Sequence, residues 1–139
     1  MRHLLSSLLA LSLLALLGCG AGKGPASTPE GTAQALLAAV RAGDASALAA
    51  LYDYSVYAKS QNQDWDSIPK GQQDLIVSKL IEEKAGALGP ALEQMKTDLA
   101  KVKVGKAEIN GETATVPLEG GAAQPLKMMQ RNGKWYLSD

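Results

Sequence analysis

Residues 102–118 read Val102-Lys-Val-Gly-Lys-Ala-Glu-Ile-Asn-Gly-Glu-Thr-Ala-Thr-Val-Pro-Leu118. Val102 and Val104 alternate with lysines, and Ala114, Val116 and Leu118 alternate with Thr113, Thr115 and Pro117. A period of two marks strands with one buried face. Asn110-Gly111 between them is a two-residue hairpin signal, because both central positions of such a turn need positive φ. The apolar phase changes between Val104 and Ala107, across Gly105, which predicts a β-bulge that bends the strand. Pro117 lies on the outward phase and has no N–H to give to a ladder, so a free edge is expected beside it.

Downstream, Gly120-Gly121 turns the chain, Leu126 and Met128 continue the pattern, Asn132-Gly133 turns it again, and Trp135 to Leu137 close it. The reading is a four-strand antiparallel meander with one wet face. Met128 and Met129 then face opposite ways, as do Trp135 and Tyr136.

Upstream the period lengthens. Thr28-Pro29-Glu30 is a helix start, with Thr as N-cap, Pro in the first turn and an acid near the positive helix end. Ala33, Leu36, Leu37 and Val40 follow as one apolar stripe, Gly43 stops the helix, and Asp44 caps a second that buries Leu48, Leu51 and Tyr52. Between Asp53 and Trp65 the pattern is poor, and Ser55-Val56-Tyr57-Ala58 suits either strand or helix. Ser67-Ile68-Pro69 opens a third helix to about Lys84, with Leu75, Ile76, Leu80 and Ile81 at helical spacing. Gly89-Pro90 starts a fourth with Leu92, Met95 and Leu99. The fold class is α+β, N-terminal helices packed on a bent antiparallel meander.

Residues 1–19 have a different character. A basic start precedes an apolar run, Leu4 to Leu17, of fourteen residues. That is short of the about 20 a membrane-spanning helix needs and suits a secretory signal. The run ends in Leu16-Leu17-Gly18-Cys19, which resembles the lipobox of bacterial lipoproteins. The resemblance implies cleavage between Gly18 and Cys19, a diacylglyceryl group on the Cys19 sulfur and an acylated amine, palmitate being a typical chain. A second acyl chain turns marginal membrane binding into stable anchoring. Gly20 after the Cys resembles lipoproteins sent to the outer membrane where a cell has two. The expected organisation is a signal peptide at 1–18, a lipidated Cys and tether at 19–28, and one domain at 29–139.

Three patterns in that domain resemble the nuclear transport factor 2-like superfamily. Ala39-Val40-Arg41-Ala42-Gly43-Asp44-Ala45-Ser46-Ala47-Leu48 looks like its helix, Gly-Asp turn and helix. Gly111-Glu112-Thr113-Ala114-Thr115-Val116 looks like its central hairpin, and Arg131-Asn132-Gly133-Lys134-Trp135-Tyr136-Leu137 like its closing one. The resemblance, to small exported lipoproteins of undefined function in that group, implies a cone between helices and sheet that holds a ligand. It also implies a homodimer through the outer sheet face, where Tyr136 is expected. The stretch Ile68–Leu99 is longer and more helical than the family pattern.

The residue inventory limits the chemistry. The one His is His3 and the one Cys is Cys19, so the folded domain has neither imidazole nor thiol. Ser-His-Asp and Cys-His catalysis and His/Cys metal sites are excluded. Without residues 1–18 the chain has 13 basic and 14 acidic groups, 14 minus Arg2 against 14. A near-neutral domain with no basic run offers no footprint for nucleic acid. The Gly-rich stretches do not follow a strand and open a helix as a phosphate loop does, so no cofactor is expected.

The acids Asp64, Asp66, Glu82, Glu83, Glu108 and Glu112 stand in polar context, where carboxylates make weak bases. An isomerase- or dehydratase-type enzyme using the cone is therefore the alternative, and a non-catalytic binding or interaction module the first reading. Its candidate contacts are Tyr52, Trp65 and Tyr136. In Gln61-Asn62-Gln63-Asp64-Trp65-Asp66, Trp65 is expected to plug the base of the core while the acids solvate the loop. Contact with sugar, peptide or calcium is the competing reading, and EF-hand spacing is absent. The expected partners are the bilayer, through acylated Cys19, and a small apolar ligand or an envelope protein.

Overall fold

The computed structural model describes residues 24–121 and 123–138. The signal segment, Gly18, Cys19 and the first residues of the tether lie outside them. The element order is α1 (Pro29–Ala42), α2 (Ala45–Ala49), α3 (Ser55–Gln61), a 3-10 turn (Trp65–Ser67) and α4 (Lys70–Asp98). Strands β1 (Lys103–Val104), β2 (Glu108–Asn110), β3 (Thr113–Val116), β4 (Leu118–Glu119), β5 (Leu126–Arg131) and β6 (Lys134–Ser138) follow. The protein is thus α+β, helices first and antiparallel strands after.

The helix boundaries follow the capping chemistry. Thr28 accepts a hydrogen bond from the Gly31 N–H, and Gly43 ends α1 in the left-handed region at φ 67°. Asp44 accepts from the Ala47 N–H at the start of α2. The ambiguous stretch after Asp53 becomes helix α3. The expected third and fourth helices are one continuous α4 that carries Pro90 in its interior. Gly89 has no Cβ to meet the proline ring, which removes half of the usual clash before Pro. Pro90 and Gly86 are exposed, so water can satisfy the carbonyl that loses its donor. The inner stripe of α4 runs through Val77, Ile81, Ala85, Leu88, Leu92 and Met95. Leu75 is off that stripe and 64% exposed.

The meander is present as a four-stranded antiparallel sheet in the order β2-β3-β5-β6, with β1 and β4 as a separate pair. Both breaks occur at the bulge. Val104 faces Leu118 and Glu108 faces Thr115, so Gly105, Lys106 and Ala107 oppose only Val116 and Pro117. Glycine is required there: a Cβ on Gly105 would sit 2.8 Å from Pro117 Cγ and 3.1 Å from the Pro117 carbonyl. Pro117 stands between β3 and β4, past the last β3–β5 pair, and β4 pairs with β1 alone, so an unpaired edge adjoins it as expected. Its carbonyl accepts from the Gly105 N–H at 2.8 Å.

The core lies between α1, α2, the inner stripe of α4 and the inner sheet face. Leu36, Leu37, Val40, Leu48, Leu51, Leu92, Val102, Val116, Met128, Trp135 and Leu137 form it. At about 1.5–3 kcal/mol for each large side chain removed from water, this cluster is the main favourable term. Ile109 shares the face of Ala114 in the register but is 56% exposed, because α1 covers β3 and β6 and does not reach that far along edge strand β2.

Candidate functional site

The outer edge of β6, the last strand of the four-stranded sheet, is the scaffold of the site. Two segments cover it and take its outward N–H groups: Trp135 donates to the Ala26 carbonyl (2.9 Å) and Leu137 to the Leu51 carbonyl (2.8 Å). Tyr52 forms a parallel bridge with Leu137. The second covering segment leads directly into Asp53 and Tyr54, which therefore stand beside Tyr136 and the β5–β6 hairpin. Buried Thr32 ties this region to α1. Its hydroxyl donates to the Trp135 carbonyl (2.8 Å) and accepts from the Ala26 N–H (2.9 Å).

A cleft of about 470 Å³ opens between this edge and the helices. Tyr52, Asp53 and Tyr54 line it from the edge segment, Trp65, Gln73 and Asp74 from the helical side, and Arg131 and Tyr136 from the hairpin strands. The three residues expected as contacts, Tyr52, Trp65 and Tyr136, thus meet in one place although they are up to 84 positions apart in sequence. The rings of Tyr52 and Tyr54 are tilted against each other with centroids 6.4 Å apart.

Trp65 is buried, but outside the main core cluster. It does not plug the base of that core; it forms a wall of the cleft. The reason is local: Gln73 on α4 donates to the Trp65 and Ile68 carbonyls (2.8 and 3.0 Å), which fastens the turn to α4 instead of beneath the sheet. Asp66 is turned outward and paired with Lys59 at 2.9 Å, while Asp64 is exposed. No group of three metal-ligating side chains exists among the described residues.

Asp53 is the polar centre. One carboxylate oxygen accepts from the Ser55 N–H and hydroxyl, and the other pairs with Arg131 Nε at 3.2 Å. Asp53 is mostly shielded from solvent whereas Arg131 is half open, so the pair is held firmly at one end only. Burial, and then the negative charge of Asp53, push the Tyr136 hydroxyl above its ordinary pKa. Tyr136 is accordingly a neutral hydrogen-bond donor across the physiological range. The other carboxylate in the cleft, Asp74, is paired with Lys70 one helical turn away.

Two further depressions adjoin the cleft. A shallow one of about 320 Å³ shares Tyr52, Asp53, Tyr54, Arg131 and Tyr136 with it and adds Val56 and Met129. The other, about 600 Å³, lies at the rim of the helix–sheet sandwich and is lined by Leu36, Tyr52, Pro125, Leu126 and Leu137, with Thr115 and Lys127. The space directly between α1 and the sheet is filled by the core side chains. The expected outward position of Tyr136 and inward position of Trp135 are as the alternation requires, as is the opposition of buried Met128 and exposed Met129. Asp53 and Arg131 carried no sequence signal as a pair; only the bridge of Tyr52 to β6 brings them together.

Comparison with protein-family models, curated proteins and solved structures finds no match to the chain.

Proposed function

We propose that the chain is a lipid-anchored protein of the bacterial envelope whose domain is a non-catalytic binding module. Its ligand is a small polar molecule with one apolar face, and its site is the cleft between α4 and the β5–β6 hairpin. The anchor rests on Leu16-Leu17-Gly18-Cys19 and the short apolar run before it. Among the described residues no helix is long and apolar enough to cross a membrane.

The observation that carries the binding reading is the convergence of Tyr52, Trp65 and Tyr136 around the Asp53–Arg131 pair. Aromatic surface offers apolar contact, while a tyrosine hydroxyl, a fixed carboxylate and a guanidinium offer oriented polar contact. The cleft volume falls within the about 300–1,000 Å³ of small-molecule sites.

An isomerase- or dehydratase-type enzyme needs a base aimed at its substrate. Here Asp53 is taken up by Ser55 and Arg131, Asp74 by Lys70, and Tyr136 holds its proton. A second reading, an apolar ligand, is favoured by the Leu36, Leu126 and Leu137 lining of the rim cavity.

Native mass spectrometry of the full chain, released gently from detergent, tests the proposal. A small-molecule mass retained by the wild type and lost in Arg131→Ala supports the cleft. Retention unaffected by Arg131→Ala but lost on Leu126→Asp transfers the site to the rim cavity. A wild type that carries no added mass and binds nothing from an envelope extract overturns the binding reading.

A further inference from the structure

The two walls of the cleft belong to differently packed parts of the domain. Among the described residues the main core cluster takes in Leu88, Leu92 and Met95 from α4, and none of Val77, Ile81 or Ala85. Buried Ala58 and Trp65 also stand outside it. Residues 56–85 therefore form an arm with packing of its own. The side-chain contacts that fasten it are internal. Lys59 pairs with Asp66, Gln73 donates to the Trp65 and Ile68 carbonyls, and the Lys84 ammonium lies 6.0 Å from the centre of the Tyr57 ring. The arm joins the body twice: just after Asp53, which Arg131 holds at 3.2 Å, and through α4 at Gly86 to Pro90.

That second joint is built to bend. Gly86-Ala87-Leu88-Gly89-Pro90 carries three residues of the two types least suited to a helix interior. Gly89 relieves the clash before Pro90, but no neighbour asks for a glycine at 86, where a Cβ would meet nothing within 4 Å. Pro90 gives no N–H to the Gly86 carbonyl, so α4 lacks a rung where the arm begins. Gly86 and Pro90 are exposed and, at 3.6 residues per turn, lie opposite the inner stripe of Ala85, Leu88 and Leu92. A helix opened on one side at a proline bends away from that side. Here the bend carries the arm toward its inner face, where Val77 and Ile81 line the cleft. Asp74 is 12 residues before Gly86 on α4, about 18 Å at 1.5 Å per residue. A bend of about 10° moves it by about 3 Å on that lever.

We propose that α4 is hinged at Gly86–Pro90 and that residues 56–85 close on the body of the domain, bringing Trp65, Gln73 and Asp74 toward Asp53, Arg131 and Tyr136 around a bound molecule. The device rests on the reading of the cleft as a binding site given above. It admits the ligand when the arm is out and shields it from water when the arm is in.

Double electron–electron resonance between nitroxide pairs tests the hinge, on the full chain with Cys19→Ser so that only the added thiols react. Leu75→Cys reports the arm, Lys96→Cys the far half of α4 and Glu108→Cys the sheet, all at exposed positions. Protein dialysed until its native mass carries no added molecule should give a Leu75–Glu108 distance distribution about 5 Å or more wider than that of Lys96–Glu108, as a range of about 20° on this lever requires. The triple variant Gly86→Ala, Gly89→Ala, Pro90→Ala, in which neither former glycine meets a neighbour, should narrow it to the width of the control pair. A wild-type arm pair as narrow as the control, or breadth unchanged in the triple variant, overturns the hinge and leaves the binding reading standing. Wild type that regains an added mass from an envelope extract should contract to the short end of its distribution; a regained mass without contraction overturns the closure. If no mass returns while the triple variant removes the breadth, the hinge is supported and the binding reading is what fails.

Discussion

Replacing Thr32 by Val keeps shape and β-branching and removes only the hydroxyl, so it isolates the relay that joins the start of the chain, α1 and β6. Thr32 is fully buried, and its hydroxyl makes two hydrogen bonds of 2.8 and 2.9 Å. Thr32→Val leaves the buried Trp135 carbonyl without this donor and the part-buried Ala26 N–H without its acceptor. An unsatisfied buried group costs about 1–3 kcal/mol. Ala26 regains some water, and the added methyl is favourably buried, which brings the expected total to about 2–4 kcal/mol. Thr32→Ser is the counterpart: it keeps the hydroxyl and loses one methyl, for about 0.5–1.5 kcal/mol. Val, Ser and Thr differ little in helix propensity, so the comparison is not confounded by α1 itself. In urea unfolding followed by the fluorescence of buried Trp65 and Trp135, Thr32→Val should lower the midpoint by roughly 1–3 M, taking a slope near 1.5 kcal/mol/M. Thr32→Ser should fall by less than half as much. If Ser proves the more damaging substitution, the methyl and not the relay holds this junction, and the reasoning is wrong.

Two other outcomes follow from the same geometry. Gly105→Ala should destabilise by about 1–3 kcal/mol, because the new Cβ meets the Pro117 ring and its backbone carbonyl, which cannot swing aside as the Glu119 carboxylate also near it can; a neutral effect in thermal unfolding would show that the bulge relaxes. Tyr136 holds its proton more tightly folded than unfolded. Its contribution is therefore complete below about pH 10, the unfolded value, and is lost as pH rises through the higher folded value, since the unfolded chain releases its proton first. The urea midpoint of the wild type should fall more steeply above pH 10 than that of Tyr136→Phe, and equal slopes would refute the assignment.

Local chemistry alone made much of the fold legible. The Thr28 and Asp44 caps, the Gly43 stop, the Asn132-Gly133 turn and the alternation of Trp135 with Tyr136 depend on residues within a few positions of one another, as does the β2–β3 hairpin turn, which falls one residue later than expected, on Gly111-Glu112, because Asn110 pairs with Thr113. Such signals survive without tertiary context. Gly89-Pro90 misled because a proline is read as a boundary from its missing N–H. Whether the freed carbonyl can be hydrated depends on exposure, a property of the folded surface. Pro117 did signal the unpaired side of β4, which pairs with β1 alone, though the break in the ladder at the bulge shows only in the register of Val104 with Leu118.

The sequence by itself determined the class and order of the elements, the place of the bulge, and the absence of imidazole and thiol from the domain. These are matters of periodicity, turn chemistry and counting. Tertiary structure decided that α4 is unbroken and that Trp65 walls a cleft instead of seating under the sheet. It also decided that Asp53 meets Arg131, and that the chain enters the domain beside that pair. Each of these turns on contacts between segments distant in sequence, above all the docking of Ala26 and Leu51 on the edge of β6. That docking satisfies backbone donors that every strand carries alike, so no side chain in the sequence announces which edge will be covered, or by what.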